Sequence, residues 1–131
     1  IITFTFPHIG IVGTNSKDQE SKKIFADGCI INQATNFYSS WRAETDLESY
    51  FLKHNIPCLY GVDTRYLTKK LAADGAMKAA LVHFGNTKKS LDILNKEIEN
   101  WSGLENLDLA SVVSTDDKYK WKDSFNVCGY I

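Results

Sequence analysis

The side chains able to do chemistry in this chain are few and scattered. There are three cysteines, Cys29, Cys58 and Cys128. A cysteine becomes a nucleophile when a base and an oxyanion donor stand beside it, and none of the three sits in a Gly-x-Cys-x-Gly elbow. Their odd number and wide spacing argue against a disulfide framework and against a Cys-x-x-Cys metal site. They read as buried thiols of a reducing compartment. His8, His54 and His83 have no ligand-spaced partner. His54 falls where a helix ends, a place that favours a cation or donor, and His83 closes a strand; each reads as structural. Gly10-Ile-Val-Gly13 lacks the Gly-Lys-Ser/Thr ending of a phosphate loop and the third glycine of a dinucleotide fingerprint. An RNA-clamping GxxG would need flanking helices and usually a basic insert. The element reads as a turn that needs positive φ twice. Asp116-Asp117, beside Lys118, reads as a solvated turn. No set of nucleophile, base and oxyanion donors emerges that could hydrolyse a substrate.

Composition agrees with a modest, non-catalytic domain. Fifteen basic against sixteen acidic residues leave a net charge of −1, without the general basic footprint of a nucleic-acid binder. No apolar run is long enough to span a membrane. The start at Ile1 carries no signal-peptide pattern and reads as a piece of a longer polypeptide. A chain of 131 residues and 14.8 kDa makes one domain, with about 7,000 Å² of folded surface against about 21,000 Å² unfolded.

The elements that would position these residues alternate in type. Ile1 to Phe6 alternates apolar residues with Thr and predicts a half-buried strand ended by Pro7. Residues 7–21 are rich in Gly, Asn, Ser and Asp and predict a loop. Lys23 to Asn32 predicts a strand bent at Gly28, and Asn36 to Arg42 an aromatic loop. Thr45 to Asn55 predicts a helix with Thr45 and Glu48 at capping-box spacing, closed by Asn55 and Pro57. Cys58 to Val62 follows as a buried strand. A helix capped by Asp63 or Thr64 runs through Ala73, with Leu67 and Leu71 inward and Gly75 as its stop. Ala76 to Phe84 predicts another strand, and Thr87 to Trp101 the longest helix, with Leu91, Leu94 and Ile98 on one face. Lys122 to Val127 predicts a last strand. The order is that of an α/β or α+β domain.

Several stretches carry a family resemblance. Thr3 to Asn15 (TFTFPHIGIVGTN) with Glu20-Ser21, Trp41-Arg42-Ala43, Leu47 to Pro57 (LESYFLKHNIP), Tyr60 to Ala76 (YGVDTRYLTKKLAADGA) and the tail GLENLDLASVVST with YKWKD resemble, in order and spacing, the carbamoyl-phosphate synthetase small chain. The resemblance spans nearly the whole sequence and implies a three-layer β/β/α swivelling-type domain, with a mixed sheet and about three helices. It also implies a division of labour. In that family the small chain hydrolyses glutamine and passes ammonia to a large chain, which uses bicarbonate and ATP to make carbamoyl phosphate for pyrimidine and arginine synthesis. The small chain has a docking N-terminal half and a class I glutamine amidotransferase C-terminal half with a Cys-His-Glu triad. This sequence matches the N-terminal half without its first strands, so no catalytic residue carries over.

The resemblance implies a cytoplasmic, cofactor-free docking domain. Its partners would be the large subunit and its own amidotransferase domain, with neither nucleic acid nor membrane, and the piece alone could form a homodimer. Interface candidates are His8, Asn15, Phe37, Trp41, Arg42 and Arg65. Phe37, Tyr38 and Trp41, with Ile1 and Ile2, are expected as an exposed apolar surface. Arg65, in the first turn of its helix, opposes the helix dipole and needs an acceptor, either within the domain or across a boundary. The family usually has Asn where Ile11 stands, so any hydrogen bond from that Asn is lost. The competing readings are a stand-alone nucleic-acid- or ligand-binding α/β domain and a purely structural one.

Overall fold

The computed structural model describes residues 1–21, 23–83 and 90–117. Short strands β1 (Ile2–Thr3), β2 (Cys29–Ile30) and β3 (Cys58–Leu59) form a sheet of order β1-β2-β3. Both pairings are parallel, with Ile2 opposite Cys29 and Cys29 opposite Cys58. The α/β class stands. The mixed sheet is, among the described residues, a parallel one, and antiparallel pairing is confined to a bridge between Thr14 and Thr45. The strand expected over residues 122–127 lies outside the described residues.

The strands are shorter than the apolar runs that encode them, although their hydrogen bonding reaches further. Phe4 N–H donates to Ile30 O, Ile31 N–H to Leu59 O and Gly61 N–H to Asn32 O. Gly28 has no room for a side chain. A Cβ there would stand 2.8 Å from Leu81 Cδ1 and 3.1 Å from the Pro57 carbonyl. Residues 76–83, expected as a strand, have no regular structure. They engage the rest by side chains: Leu81 covers Gly28, and Lys78 Nζ donates to the carbonyls of Glu99 and Trp101. A cation there satisfies the open carbonyls of a helix end.

The α-helices among the described residues are α1 (Leu47–Lys53), α2 (Thr64–Asp74), α3 (Leu91–Asn100) and α4 (Leu109–Val113). The α1 cap is not the expected Thr45–Glu48 box. Thr45 is engaged in the bridge to Thr14, and Asp46 caps instead, accepting from the Ser49 N–H at 2.8 Å and the Ser49 hydroxyl at 2.7 Å. At the other end Asn55 takes a φ of 55°. Asn55 N–H donates to Leu52 O and Ile56 N–H to Phe51 O, the paired bonds of a Schellman closure. Asp63 caps α2 through the Tyr66 N–H, and Gly75 ends it at a φ of 86°. In α3 Leu94 is buried and Ile98 half-buried, but Leu91 is exposed.

Few of the described side chains are fully hidden. Among the described residues the buried apolar side chains are Cys29, Ile31 and Leu94, joined by Thr64 at the first position of α2.

Two glycines separate backbone strain from lack of space. Gly61 has a φ of 83° with nothing within 4 Å, whereas Gly13 has a φ of 69° and an added Cβ would lie 2.6 Å from Ala43 Cβ. Gly61→Ala should cost about 1–2 kcal/mol for the left-handed backbone, and Gly13→Ala a further 1–3 kcal/mol or so for overlap. Urea unfolding checks this, and equal midpoints would overturn it. Acid gives a second test. The Asp46 carboxyl is held below its ordinary 3.8, first by the Ser49 N–H and then by the Ser49 hydroxyl. Its support of α1 is therefore complete above about pH 3.8 and is lost as pH falls through the lowered value. Asn also caps but does not titrate, so Asp46→Asn should keep α1 amide protons protected in acid where the parent loses protection in hydrogen exchange.

Candidate functional site

The interface candidates fall mainly into one place, a pair of loops, residues 7–18 and 33–46, joined by their backbones. Gly10 and Gly13 both take positive φ, 91° and 69°, and Gly13 N–H donates to Gly10 O at 2.9 Å. The GIVG element is thus a turn and has no helix on either flank of the kind an RNA clamp uses. The turn packs tightly on the second loop and on the start of α1, since a Cβ on Gly13 would meet Ala43 at 2.6 Å and one on Gly10 would meet Leu47 at 2.8 Å.

The weld between the loops is mostly main chain. Thr14 N–H donates to Thr45 O, and Glu44 N–H donates back to Thr14 O, each at 2.8 Å. Ile11 holds its place by backbone. Its carbonyl accepts from the Ser39 N–H at 2.8 Å and the Ser39 hydroxyl at 3.2 Å.

Polar side chains finish the arrangement. Asn15 Oδ1 accepts from the N–H groups of Lys17 and Asp18, closing a 3₁₀ turn over Ser16–Asp18. Asn15 Nδ2 and Arg42 Nη2 each donate to the Asp18 carboxylate at 2.6 Å. The Glu44 carboxylate accepts from the Ser16 N–H and hydroxyl. Asn15 and Arg42, distant in sequence, therefore meet on Asp18, a residue the sequence reading did not single out. Asx-turn chemistry at Asn15 was the available signal; the tie to Arg42 depends on the tertiary weld.

This scaffold displays apolar side chains to solvent. Trp41 is 91% exposed, Phe37 63% and Val12 64%, with Tyr38 also exposed. Ile1 and Ile2 are about half exposed at the sheet edge. His8 stands edge-on to Phe6, with 6.2 Å between ring centroids. Arg65 lies in the first turn of α2, apart from this hydrogen-bonded cluster. Among the described residues its guanidinium makes no hydrogen bond or ion pair. The internal acceptor considered for it is therefore not found there. No described helix is long and apolar enough to cross a membrane.

Comparison with known proteins decides the family. Residues 1–81 match the family model described as carbamoyl-phosphate synthase small chain, CPSase domain. The chain belongs to the carbamoyl-phosphate synthase small chain family. It is 40% identical over 127 residues to the carbamoyl phosphate synthase small chain of Zymomonas mobilis subsp. mobilis, covering 94% of this chain and 33% of that protein. The small chain of Brucella ovis is 41% identical over 94% of this chain, and that of Brucella anthropi 39% identical over 95%. The likeness to these small chains thus continues past residue 81, and the chain spans about a third of their length.

The two arginines should behave alike in the isolated chain. The Arg42–Asp18 pair is about half exposed on each side, and exposed pairs contribute little. Arg42→Ala and Arg65→Ala should each leave stability within about 0.5 kcal/mol of the parent. A loss above about 1 kcal/mol for Arg65→Ala in urea unfolding would show that its partner lies within the chain.

Proposed function

We propose that this chain is the docking part of a glutamine-dependent carbamoyl-phosphate synthase small subunit, working in the cytoplasm. It joins the amidotransferase half to the large synthetase subunit, so that ammonia released from glutamine reaches the site where carbamoyl phosphate is made. The ligase and amidotransferase activity belongs to the assembled enzyme, and this chain supplies no catalytic side chain to it. ATP is used by the large subunit, and this domain holds no cofactor of its own. Family membership supports the reading. The observation that carries it within the structure is the hydrogen-bonded loop pair presenting Phe37, Trp41 and Arg42 to solvent.

The physics of association fits such a surface. Interface energy concentrates in a few aromatic and arginine side chains, and anchors held by a stiff backbone lose little entropy on binding. Trp41 has almost its whole ring free, and Arg65 offers a planar fork suited to a carboxylate or to several carbonyls. His8 and Asn15 complete the proposed contact set.

Co-purification with a matching large chain tests the proposal. The parent chain should be retained, while Trp41→Ala and Arg65→Ala should each weaken capture about tenfold or more, equivalent to about 1.4 kcal/mol, without loss of stability. Failure of the parent to bind a matching large chain would refute the docking role. The chain alone should release no ammonia from glutamine. Thiol-sensitive glutaminase activity in the pure protein would show that catalytic groups had been missed.

A further inference from the structure

Cys29 and Cys58, far apart in sequence, are register partners on adjacent parallel strands. As register partners on parallel strands they carry their side chains on the same face of the sheet, and both cysteines are free. Neighbouring strands lie about 4.8 Å apart, within the Cα separations of about 4.4–6.8 Å that a disulfide bridges. Exposure differs between the two. Cys29 is 3% exposed on the central strand, whereas Cys58, on β3, is part-exposed. Burial, with Cys58 alongside, pushes the Cys29 thiol up to about 12, so Cys58 is the thiol that a solvent-borne reagent meets first.

We propose that Cys29 and Cys58 form a vicinal dithiol modification site that low-molecular-weight disulfides of the glutathione class oxidise to a cross-strand disulfide. The Cys58 thiolate attacks one sulfur of the small disulfide, forming a mixed disulfide and releasing one small thiolate. Cys29 then gives up its proton and attacks the Cys58 sulfur, expelling the second small thiolate. Two protein thiols are oxidised, one small disulfide is reduced to two thiols, and the displaced thiolates take up the protons. Cys29 needs no access to solvent, because its reaction partner is delivered on the neighbouring strand. The bond pins β2 to β3 and closes the intervening segment, which contains the aromatic loop and α1, into a covalent ring. The site is independent of the docking role.

The test equilibrates the purified protein, alone and within its synthetase complex, with mixtures of oxidised and reduced glutathione. Free thiols are then alkylated and peptides mapped by mass. The expected product is a Cys29–Cys58 linked peptide lacking two hydrogens. Cys29→Ser should stop at the mixed disulfide on Cys58 and accumulate about ten times more of it than the parent; Cys58→Ser should leave Cys29 reduced. A parent that keeps glutathione on Cys58 without forming the link would overturn the proposal, as would a link to Cys128 or one that forms only after denaturation. A serine variant could fail to fold, so phenylarsine oxide is titrated into the unaltered protein as well. Bridging by arsenic should shield Cys29 and Cys58 together from alkylation. Independent alkylation of the two thiols in its presence would show that they do not face each other, and would refute the site.

Discussion

The architecture hangs on strand β2. Its backbone is bonded on both sides: Gly28 O accepts from Ile2 N–H, and Cys29 N–H donates to Pro57 O, each at 3.0 Å. Parallel strands cannot be joined by a tight hairpin, so both neighbours must be delivered by long connections. The first connection holds the GIVG turn and the second holds the aromatic loop and α1. The two loops that form the candidate surface are therefore the crossovers of the same ladder. A break at β2 would separate them, whereas a break in their mutual weld would leave the ladder in place. Gly28 permits the arrangement, because Leu81 and the Pro57 carbonyl occupy the space a side chain would need.

How much of this was legible in the sequence depends on whether the controlling interaction is local. The closure of α1 by Asn55, the stop at Gly75, the positive φ at Gly10 and Gly13 and, to within the choice of Asp63 or Thr64, the cap of α2 were readable, since each is set within a few residues. The α1 cap was misread because two acceptors compete there, and Thr45 is diverted by the bridge to Thr14, a partner no local rule can supply. The expected strand is absent over residues 76–83 for a related reason. Its apolar pattern is real, but Lys78 is held at the end of α3 and Leu81 lies over Gly28. The cysteine pair was missed because spacing rules look for nearby partners. A usable signal was present: Cys29 and Cys58 each open a short apolar run directly after a chain-breaking Gly or Pro, which sets them in phase once the strands pair.

The candidate surface shows the same division. Aromatic density at residues 37–41 marked an exposed loop, and the exposure is observed. The sequence did not show that the loop is stiff. Stiffness comes from main-chain bonds between Thr14 and the 44–45 segment and between Ile11 and Ser39, which any side chains at those positions could make. A contact held by backbone is blind to the residue that makes it, so the loop keeps its shape while the side chain is free to vary.

Thin burial and a stiff exposed surface belong together. A domain with Cys29, Ile31, Leu94 and Thr64 as the buried side chains among its described residues has little apolar area there with which to offset the entropy of ordering long crossovers. Hydrogen bonds between loops can fix their geometry, but each contributes only about 1 kcal/mol net. A partner surface that covers exposed apolar side chains would add to that stabilisation. Exposed Trp41 and Phe37 suit that role, because burying either against a partner adds the area that the interior lacks. Docking and folding would then draw on the same side chains. A partner that covers them stabilises the folded chain by mass action, and the loops that recognise the partner are the ones whose order it reinforces.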